Sequence, residues 1–297
     1  MALKAAVTLA ISLSATLSLA TPLDKRIVNG QDAKEGEIKF IVSIRDNNGV
    51  HNCGGSLLDS TTVLTAAHCC HYANLTSVTA GTLRSKPGLG VEAQIATFKT
   101  HPNYIPFFDK GGLYETLKRE KLDKLSWEDN DIAIVKLSTP IEKSNAIEFA
   151  TLPPAGSDAV VDSNAVAAGW GWQAPRAGDD FQPIVPAETL SKVVLPVHAR
   201  EECAKYAGFG DRETIICAGG KGKNVCTADS GGPLFDEKTG QVLGITSITI
   251  EDTVGESDGE TCNRVPGLFT RVGSYIDFIN EHVGSASNAT TLFSRLP

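Results

Sequence analysis

The sequence predicts an all-β fold, on three observations. Short apolar, β-branched runs recur along the chain, at Phe40–Ile44, Asp131–Leu137, Val193–Val197 and Val242–Thr246. Turn-forming residues such as Asp46–Gly49 separate them, and many short strands with this spacing are typical of barrels and sandwiches. The sequence has no internal repeat, and the 271 residues from 27 to 297 suffice for one large β domain or two smaller barrels.

The N-terminus predicts a signal peptide over residues 1–20. Lys4 precedes the apolar run Ala5–Leu19, which ends in the small-x-small pattern Ser18-Leu19-Ala20. The run is short and rich in hydroxyls for a membrane span, which disfavours the alternative of an anchor helix. We therefore expect a secreted, extracellular protein with no membrane association.

Residues 21–26 are predicted to be an activation propeptide. They end in the dibasic pair Lys25-Arg26, and a cut there releases a new N-terminus at Ile27. Removing residues 1–26 takes three basic residues from 27 and one acidic residue from 35, which leaves a formal charge of −10. This charge disfavours nucleic acid and anionic membranes as partners.

Two segments interrupt the strand pattern. Gly111–Asp129 mixes leucines with charged residues and predicts a short amphipathic helix inserted between strands. Ser274–Val283 predicts a C-terminal helix with one packed face, and residues 284–297 form a polar tail that we expect to be flexible.

Seven cysteines in a secreted chain indicate disulfides with one thiol left over. The sequons at Asn74 and Asn288 predict glycosylation, although each tripeptide is a weak signal by itself.

The segment Cys226–Pro233 has the strongest chemical signal. Ser230 lies between Asp229 and two glycines, which favours a sharp turn that exposes a hydroxyl. A serine is a poor nucleophile until a neighbouring base accepts its proton. The rest of the chain must therefore supply that base.

His68 and Asp131 are the candidates for base and orienting acid. His68 is followed by Cys69, and a bridge to Cys53 would hold it rigidly. A lone histidine is more often structural, and an acid at the mouth of a strand usually caps a turn. The order His68, Asp131, Ser230 is nevertheless one of the orders in which nucleophilic triads are built.

Together these pieces resemble the chymotrypsin family of serine peptidases. The matching segments follow the family's order from residue 27 to about 283, and they are Ile27–Gly30, Cys53–Leu57, Thr65–Cys69, Asp131–Leu137, Gly169–Gly171, Asp229–Pro233 and Pro266–Val272.

The resemblance implies two antiparallel six-stranded β-barrels with a C-terminal α-helix. The peptidase domain spans 27–283, with the N-terminal barrel over about 27–150 and the C-terminal barrel and helix over about 151–283. The triad then lies at the junction of the barrels, with Ser230 as nucleophile, His68 as base and Asp131 orienting the histidine.

Further roles follow from the same resemblance. The N–H groups of Ala228 and Ser230 form the oxyanion hole, and the new ammonium group of Ile27 pairs with Asp229. The implied disulfides are Cys53–Cys69, Cys203–Cys217 and Cys226–Cys262. Cys70 is left over; we favour a free thiol over an intermolecular link.

The chain departs from the family pattern at residue 228, where glycine is usual. Alanine keeps the N–H but resists the positive φ that glycine tolerates, so Ala228 is expected to weaken the oxyanion hole unless the loop accommodates it.

The pocket residues are the second departure. Asn224 replaces the aspartate of a trypsin, Val225 adds an apolar wall, and Thr249 is expected to narrow an entrance that Gly267 leaves open on the opposite side. The remaining pocket residues are Ser247 and Ile248. We predict a preference for medium apolar residues before the cleaved bond.

Other segments leave alternatives open. The acidic residues Glu251, Asp252, Glu256, Asp258 and Glu260 are read as solvated surface, the alternative being attraction of basic substrates. The Gly111–Asp129 insertion either restricts access to the substrate cleft or adds subsites to it, the alternative being a solvated surface segment. Residues 71–91 contain no aspartate or glutamate, so no calcium is expected there; nor is any other metal or cofactor.

The leading hypothesis is a secreted serine endopeptidase made as a zymogen. A weakly active or inactive homologue that binds protein through its groove is the alternative, and only Ala228 favours it. A structural or lectin-like β protein is disfavoured by the ordered motifs. The expected partners are protein or peptide substrates and protein inhibitors, and a monomer is expected.

Overall fold

The computed structural model describes Ile27 and residues 29–106, 129–171, 187–206, 211–249, 262 and 265–284. Several predicted features lie outside the described residues. They are the signal peptide and propeptide over 1–26, residues 111–128 of the inserted segment, the acidic residues 251–260, and the tail beyond Gly284 with Asn288.

Six strands form the first barrel, which is closed and antiparallel. Its order is β2-β3-β4-β7-β6-β5. The strands are β2 (Ile41–Asp46), β3 (His51–Asp59), β4 (Thr62–Thr65), β5 (Leu75–Ala80), β6 (Val91–Thr100) and β7 (Ala133–Leu137).

The second barrel is built from a sheet that closes on itself. The sheet order is β1-β9-β10-β13-β12-β11-β8, and pairing of β8 with β9 closes six of these strands. The strands are β1 (Gln31–Asp32), β8 (Asn164–Gly169), β9 (Ser191–His198), β10 (Ile215–Ala218), β11 (Pro233–Asp236), β12 (Val242–Thr249) and β13 (Gly267–Arg271). The all-β double-barrel prediction is confirmed.

Strand β1 is the seventh member of this sheet and comes from the N-terminal end of the chain. Gln31 pairs with Lys192 and Asp32 with Ser191, so β1 lies along the edge of β9. Residues 31–32 are thereby attached to the second barrel before β2 enters the first.

Burial follows the alternation expected of barrel strands. In β9 every second residue is buried, including Val193, Leu195 and Val197. These side chains point inward, while the intervening ones are only half-buried. In β2, by contrast, Ile41–Arg45 are all buried, because both faces of that strand are covered.

Helices are short among the described residues: α1 (Ala67–Tyr72), α2 (Arg200–Ala204), a 3₁₀ turn η1 (Val272–Ser274) and α3 (Ile276–Asn280). The predicted C-terminal helix is therefore present as η1 followed by α3. Val272, Tyr275 and Ile279 pack in one core with Val42 and Ile44 of the first barrel.

No helix of the described residues is both long enough and apolar enough to cross a bilayer.

Candidate active site

His68 and Asp131 lie side by side because their strands pair. Strands β4 and β7 are antiparallel, with Thr65 opposite Ala133. His68 follows the end of β4 and Asp131 precedes β7, so both lie at the same end of the barrel. The His68 Nδ1 and Asp131 Oδ2 are 2.8 Å apart, and the His68 backbone N–H donates to Asp131 Oδ1 over 2.9 Å.

The second barrel holds Asp131 through two hydroxyl groups. Ser247 on β12 donates to Asp131 Oδ2 over 2.6 Å, and Thr270 on β13 donates to the Asp131 carbonyl oxygen over 2.8 Å. Burial is complete and raises the pKa of Asp131, but the charge and hydrogen bonds of His68 and the hydroxyl of Ser247 outweigh it. The net pKa lies below its usual value, so Asp131 is a carboxylate at neutral pH.

The sequence did not predict these two donors. Ser247 was assigned to the pocket wall and Thr270 only to a matching segment. Both are more than 100 positions from Asp131, and a single sequence has no signal that joins residues so far apart.

The loop that bears Ser230 packs directly on the first barrel. The Gly54 N–H donates to the Ser230 carbonyl oxygen over 2.8 Å. Gly231 has φ +75°, and a Cβ there would lie 2.2 Å from Thr65 Oγ1 and 3.2 Å from Cys69 Sγ. Only glycine fits this close approach. The loop is thereby held against the residue that follows His68.

Ala228 adopts the backbone conformation that the sequence suggested alanine would resist. Its φ is +71°. A β3 histidine, His51, supports it, because the His51 Nε2–H donates to the Ala228 carbonyl oxygen over 3.0 Å. Burial lowers the pKa of His51 to about 4, so the ring is neutral and its Nδ1 accepts from Ser43 Oγ over 2.8 Å. As a lone histidine, His51 carried no signal of this role in the sequence.

Asp229 is fully buried beneath the same loop. The N–H groups of Gly171 and Cys226 donate to its two carboxyl oxygens over 2.8 and 2.9 Å. Burial raises the pKa of Asp229 to about 7, although both hydrogen bonds oppose that shift. The carboxyl approaches Gly171 so closely that a Cβ there would lie 2.3 Å from its carbon.

Ile27 is also fully buried, in a core with Ala165, Val193 and Phe269 of the second barrel. Its φ is +26°, a left-handed value that is unfavourable for a β-branched residue.

Asn224 is buried with both ends of its amide bonded to the backbone. Its Nδ2 donates to the Val265 carbonyl oxygen, and its Oδ1 accepts from the Val225 N–H, each over 2.9 Å. Its Oδ1 would lie 2.9 Å from a Cβ at Gly267. Val225 and Gly267 are buried, and Ile248 is half-buried; the side chain of Thr249 lies outside the described part of the chain.

Three disulfides join Cys53 to Cys69, Cys203 to Cys217 and Cys226 to Cys262. Cys70 is a free cysteine, and burial together with the charge of Asp131 raises its pKa to about 12. Its thiol is therefore protonated and unreactive at neutral pH.

The described residues contain one cluster of potential metal ligands, formed by Cys53, His68 and Cys69. Both sulfurs belong to the disulfide, and the Cys69 Sγ lies 3.8 Å from the His68 Nε2. The cluster therefore does not offer thiolate ligands, and the disulfide serves as packing beside the imidazole.

Comparison with known proteins places the chain in a family. A family model described as Trypsin matches residues 27–279. Rat chymotrypsin-C is 33% identical, over 88% of this chain and 90% of its own. Chymotrypsin-like elastase family member 3B of Macaca mulatta is 32% identical, over 88% of this chain and 94% of its own.

A solved structure titled human heparin binding protein has the same fold. It superposes with a TM-score of 0.64 at 22% identity, covering 86% of this chain and 96% of its own.

Proposed function

The chain belongs to the trypsin family and is a serine endopeptidase, and from this premise we propose that Ser230, His68 and Asp131 carry out the hydrolysis. The hydrogen bond between His68 Nδ1 and Asp131 is the observation that carries the proposal. A carboxylate can only accept, so the imidazole proton is on Nδ1 and the Nε2 is left to accept a proton.

In the proposed reaction the Ser230 Oγ attacks the carbonyl carbon of the substrate while its proton passes to His68 Nε2. The resulting imidazolium gives that proton to the leaving amine as the C–N bond breaks, and an acyl-enzyme ester remains. Water then repeats the attack, with His68 again accepting a proton, and releases the acid and Ser230. The N–H groups of Ala228 and Ser230 stabilise the oxyanion in both steps.

Activation by cleavage after Arg26 is supported by the surroundings of Ile27 and Asp229. Asp229 is buried with two N–H donors and a raised pKa, so a cation beside it would be strongly stabilised. The peptide bond from Arg26 defines the unfavourable φ of Ile27, and hydrolysis of that bond removes the strain. A single cleavage therefore both supplies an ammonium group to Asp229 and removes the backbone strain at Ile27.

Asn224 supports a preference for apolar residues before the cleaved bond. Its amide donates and accepts within the backbone, so it has neither a charge nor a free carboxylate for a basic side chain. Val225, which is buried, adds apolar surface. Medium apolar side chains are the proposed class.

The alternative is a weakly active or inactive homologue that binds protein through the groove. Ala228 is the observation that favours it, since a positive φ at alanine is strained. The hydrogen bond from His51 offsets that strain by holding the Ala228 carbonyl, and the enzyme reading is therefore preferred.

The proposed setting is extracellular, in agreement with three disulfides and an exposed sequon residue, Asn74. Protein and peptide chains are the substrates. Protein inhibitors as further partners, and a monomeric state, are part of the same proposal.

The test is covalent labelling by a serine-directed phosphonate, with the modified peptide identified by mass spectrometry. Labelling requires nucleophile, base and oxyanion hole together. We expect rapid modification of Ser230 in the chain that begins at Ile27, and none in Ser230→Ala. Arg26→Gln, which blocks processing, serves as the zymogen control and is expected to label slowly.

A correctly processed chain that does not label would contradict the proposal and favour the binding module. Equal labelling before and after processing would contradict the activation step alone.

A further inference from the structure

Asn130 forms a tight backbone turn immediately before Asp131. Its φ is +54°, in the left-handed region that most residues avoid and asparagine tolerates better than most. The Ile132 N–H donates to the Asn130 carbonyl oxygen over 2.8 Å, so Asp131 is the central residue of the turn. The direction in which the Asp131 side chain leaves the backbone therefore depends on the conformation of Asn130.

Two hydrogen bonds hold the amide group of Asn130. Its Nδ2 donates to the Asn103 carbonyl oxygen over 2.9 Å, and its Oδ1 accepts from the Tyr275 hydroxyl over 3.1 Å. Tyr275 lies 145 positions away in sequence. The second bond therefore joins the turn in the first barrel to the segment that follows the last strand of the second.

Tyr275 is itself rigidly placed between η1 and α3. It is 5% exposed, and its ring packs edge-on against His101 with centroids 5.3 Å apart. Its backbone N–H donates to the Val272 carbonyl, and its carbonyl accepts from the Ile279 N–H, each over 2.9 Å. A hydroxyl fixed in this way can hold the Asn130 side chain in one position through its hydrogen bond.

The contact between Asp131 and His68 is sensitive to the position of Asn130. One carboxyl oxygen accepts from the His68 backbone N–H and the other bonds to its Nδ1. Two parallel bonds fix the plane of the carboxylate, so a small rotation of the backbone at residue 130 would weaken one of them.

We propose that Tyr275 is a positioning residue for the triad: through Asn130 it holds the turn that sets the Asp131 carboxylate against His68. The inference rests on the proposed function, because the placement of Asp131 affects a rate only if His68 is the base. Ser247 and Thr270 hold Asp131 directly, and Tyr275 acts on the residue before it.

The first test is Tyr275→Phe, which removes only the hydroxyl. We expect kcat of the processed enzyme to fall about tenfold, since a slightly misplaced catalytic group lowers the rate of the chemical step. KM should stay unchanged, because Tyr275 is not one of the residues assigned to the specificity pocket. An equal kcat in the variant and the parent overturns the proposal.

Phe278→Leu is the matched control. Phe278 lies on α3 and also packs edge-on against His101, with ring centroids 5.1 Å apart, but its side chain contributes no hydrogen bond to Asn130. We expect a loss of stability with kcat unchanged. If Phe278→Leu lowers kcat as much as Tyr275→Phe does, the effect is general packing and the proposal fails.

Asn130→Gly tests whether the effect passes through Asn130. Glycine accepts the positive φ but has no side-chain oxygen to accept the hydrogen bond of the Tyr275 hydroxyl. In this background Tyr275→Phe is expected to lower kcat no further, so the double-mutant cycle is strongly non-additive. Additive losses would show that Tyr275 acts by another route and would overturn the proposal.

A readout independent of turnover separates this inference from the function on which it rests. The proton shared by His68 Nδ1 and Asp131 should give a low-field resonance in the proton NMR spectrum of the processed Ser230→Ala protein. We expect Tyr275→Phe to shift or broaden that resonance and Phe278→Leu to leave it in place. An unchanged resonance in Tyr275→Phe overturns the positioning role. Failure of the parent to hydrolyse any peptide overturns the proposed function, and the resonance then decides the positioning role by itself.

Discussion

The His51 Nε2 lies 3.0 Å from the carbonyl oxygen of Ala228, so a strand of the first barrel supports the loop that carries Ser230. The ring is neutral because burial lowers its pKa to about 4, and Ser43 holds its other nitrogen. The residue whose N–H is proposed for the oxyanion hole is thus fixed from its carbonyl side by a group outside the triad.

His51→Leu should lower both stability and kcat. The change removes the His51 partner of the buried Ser43 hydroxyl and of the part-buried Ala228 carbonyl, which costs about 2 kcal/mol of the free energy of unfolding. The freed loop should also lower kcat more than it raises KM. Urea unfolding and steady-state kinetics measure the two effects. His71→Leu, at an exposed histidine of α1, is the control. Equal stability of the two variants would contradict the role of His51.

Ala228→Gly should stabilise the protein by about 1 kcal/mol, because glycine accepts a φ of +71° without the steric cost that alanine incurs. Phosphonate labelling should become no slower. The same substitution at Ala165, a buried residue of β8, should instead destabilise, since glycine weakens a strand. Thermal unfolding compares the two. Destabilisation by Ala228→Gly would mean that residue 228 is not strained.

The raised pKa of Asp229 predicts a pH dependence of the uncleaved precursor. In the folded precursor this carboxyl titrates near 7, against 3.8 when unfolded. Between these values the folded state binds the extra proton, so the contribution is present at low pH and is lost as the pH rises through about 7. We expect unfolding free energy in a Ser230→Ala background to fall over this window relative to Asp229→Asn.

The pKa of His51 is shifted in the opposite direction, but this shift is present in both the Ser230→Ala protein and its Asp229→Asn derivative. Its effect on stability therefore cancels when the two are compared. Cleavage after Arg26 should remove the slope, because the Ile27 ammonium then favours the carboxylate. A slope that persists unchanged in the processed chain would contradict the pairing of Ile27 with Asp229.

Asn224→Asp should destabilise the protein rather than simply create a trypsin-like pocket. The amide Nδ2 donates to the Val265 carbonyl, and a carboxylate oxygen in its place would face that carbonyl without a proton. We expect a loss of about 2 kcal/mol or more. Asn48→Asp, at an exposed turn residue, is the control for the change in charge. Equal melting temperatures for the two variants would contradict this account of the pocket floor.

The fold could be predicted because strand periodicity and motif order are local properties. The short apolar runs at 40–44, 131–137 and 193–197 all fall within or beside strands. The turn at Ser230 could also be predicted from the sequence, since Gly231 is required where the loop meets Thr65 and Cys69.

The supporting contacts could not be predicted, because they join distant positions through ordinary residue types. Ser247, Thr270 and His51 acquire their roles only when the two barrels meet. At Ala228 the residue type supports a clear expectation, but the structure differs from it. Local propensity suggested that alanine resists a positive φ, but the loop adopts it, with the His51 contact holding the Ala228 carbonyl.

Strand β1 and the segment η1–α3 cross between the barrels in opposite directions. Gln31 and Asp32 add to the second barrel, whereas Val272, Tyr275 and Ile279 pack into the core of the first. The first half of the chain therefore lacks part of its barrel core, and the second half lacks the strand that extends its sheet. A cut between the barrels would yield fragments that each lack an edge or a core segment. The intact chain should accordingly unfold in one cooperative transition, and the two halves, expressed apart, should remain unfolded until mixed.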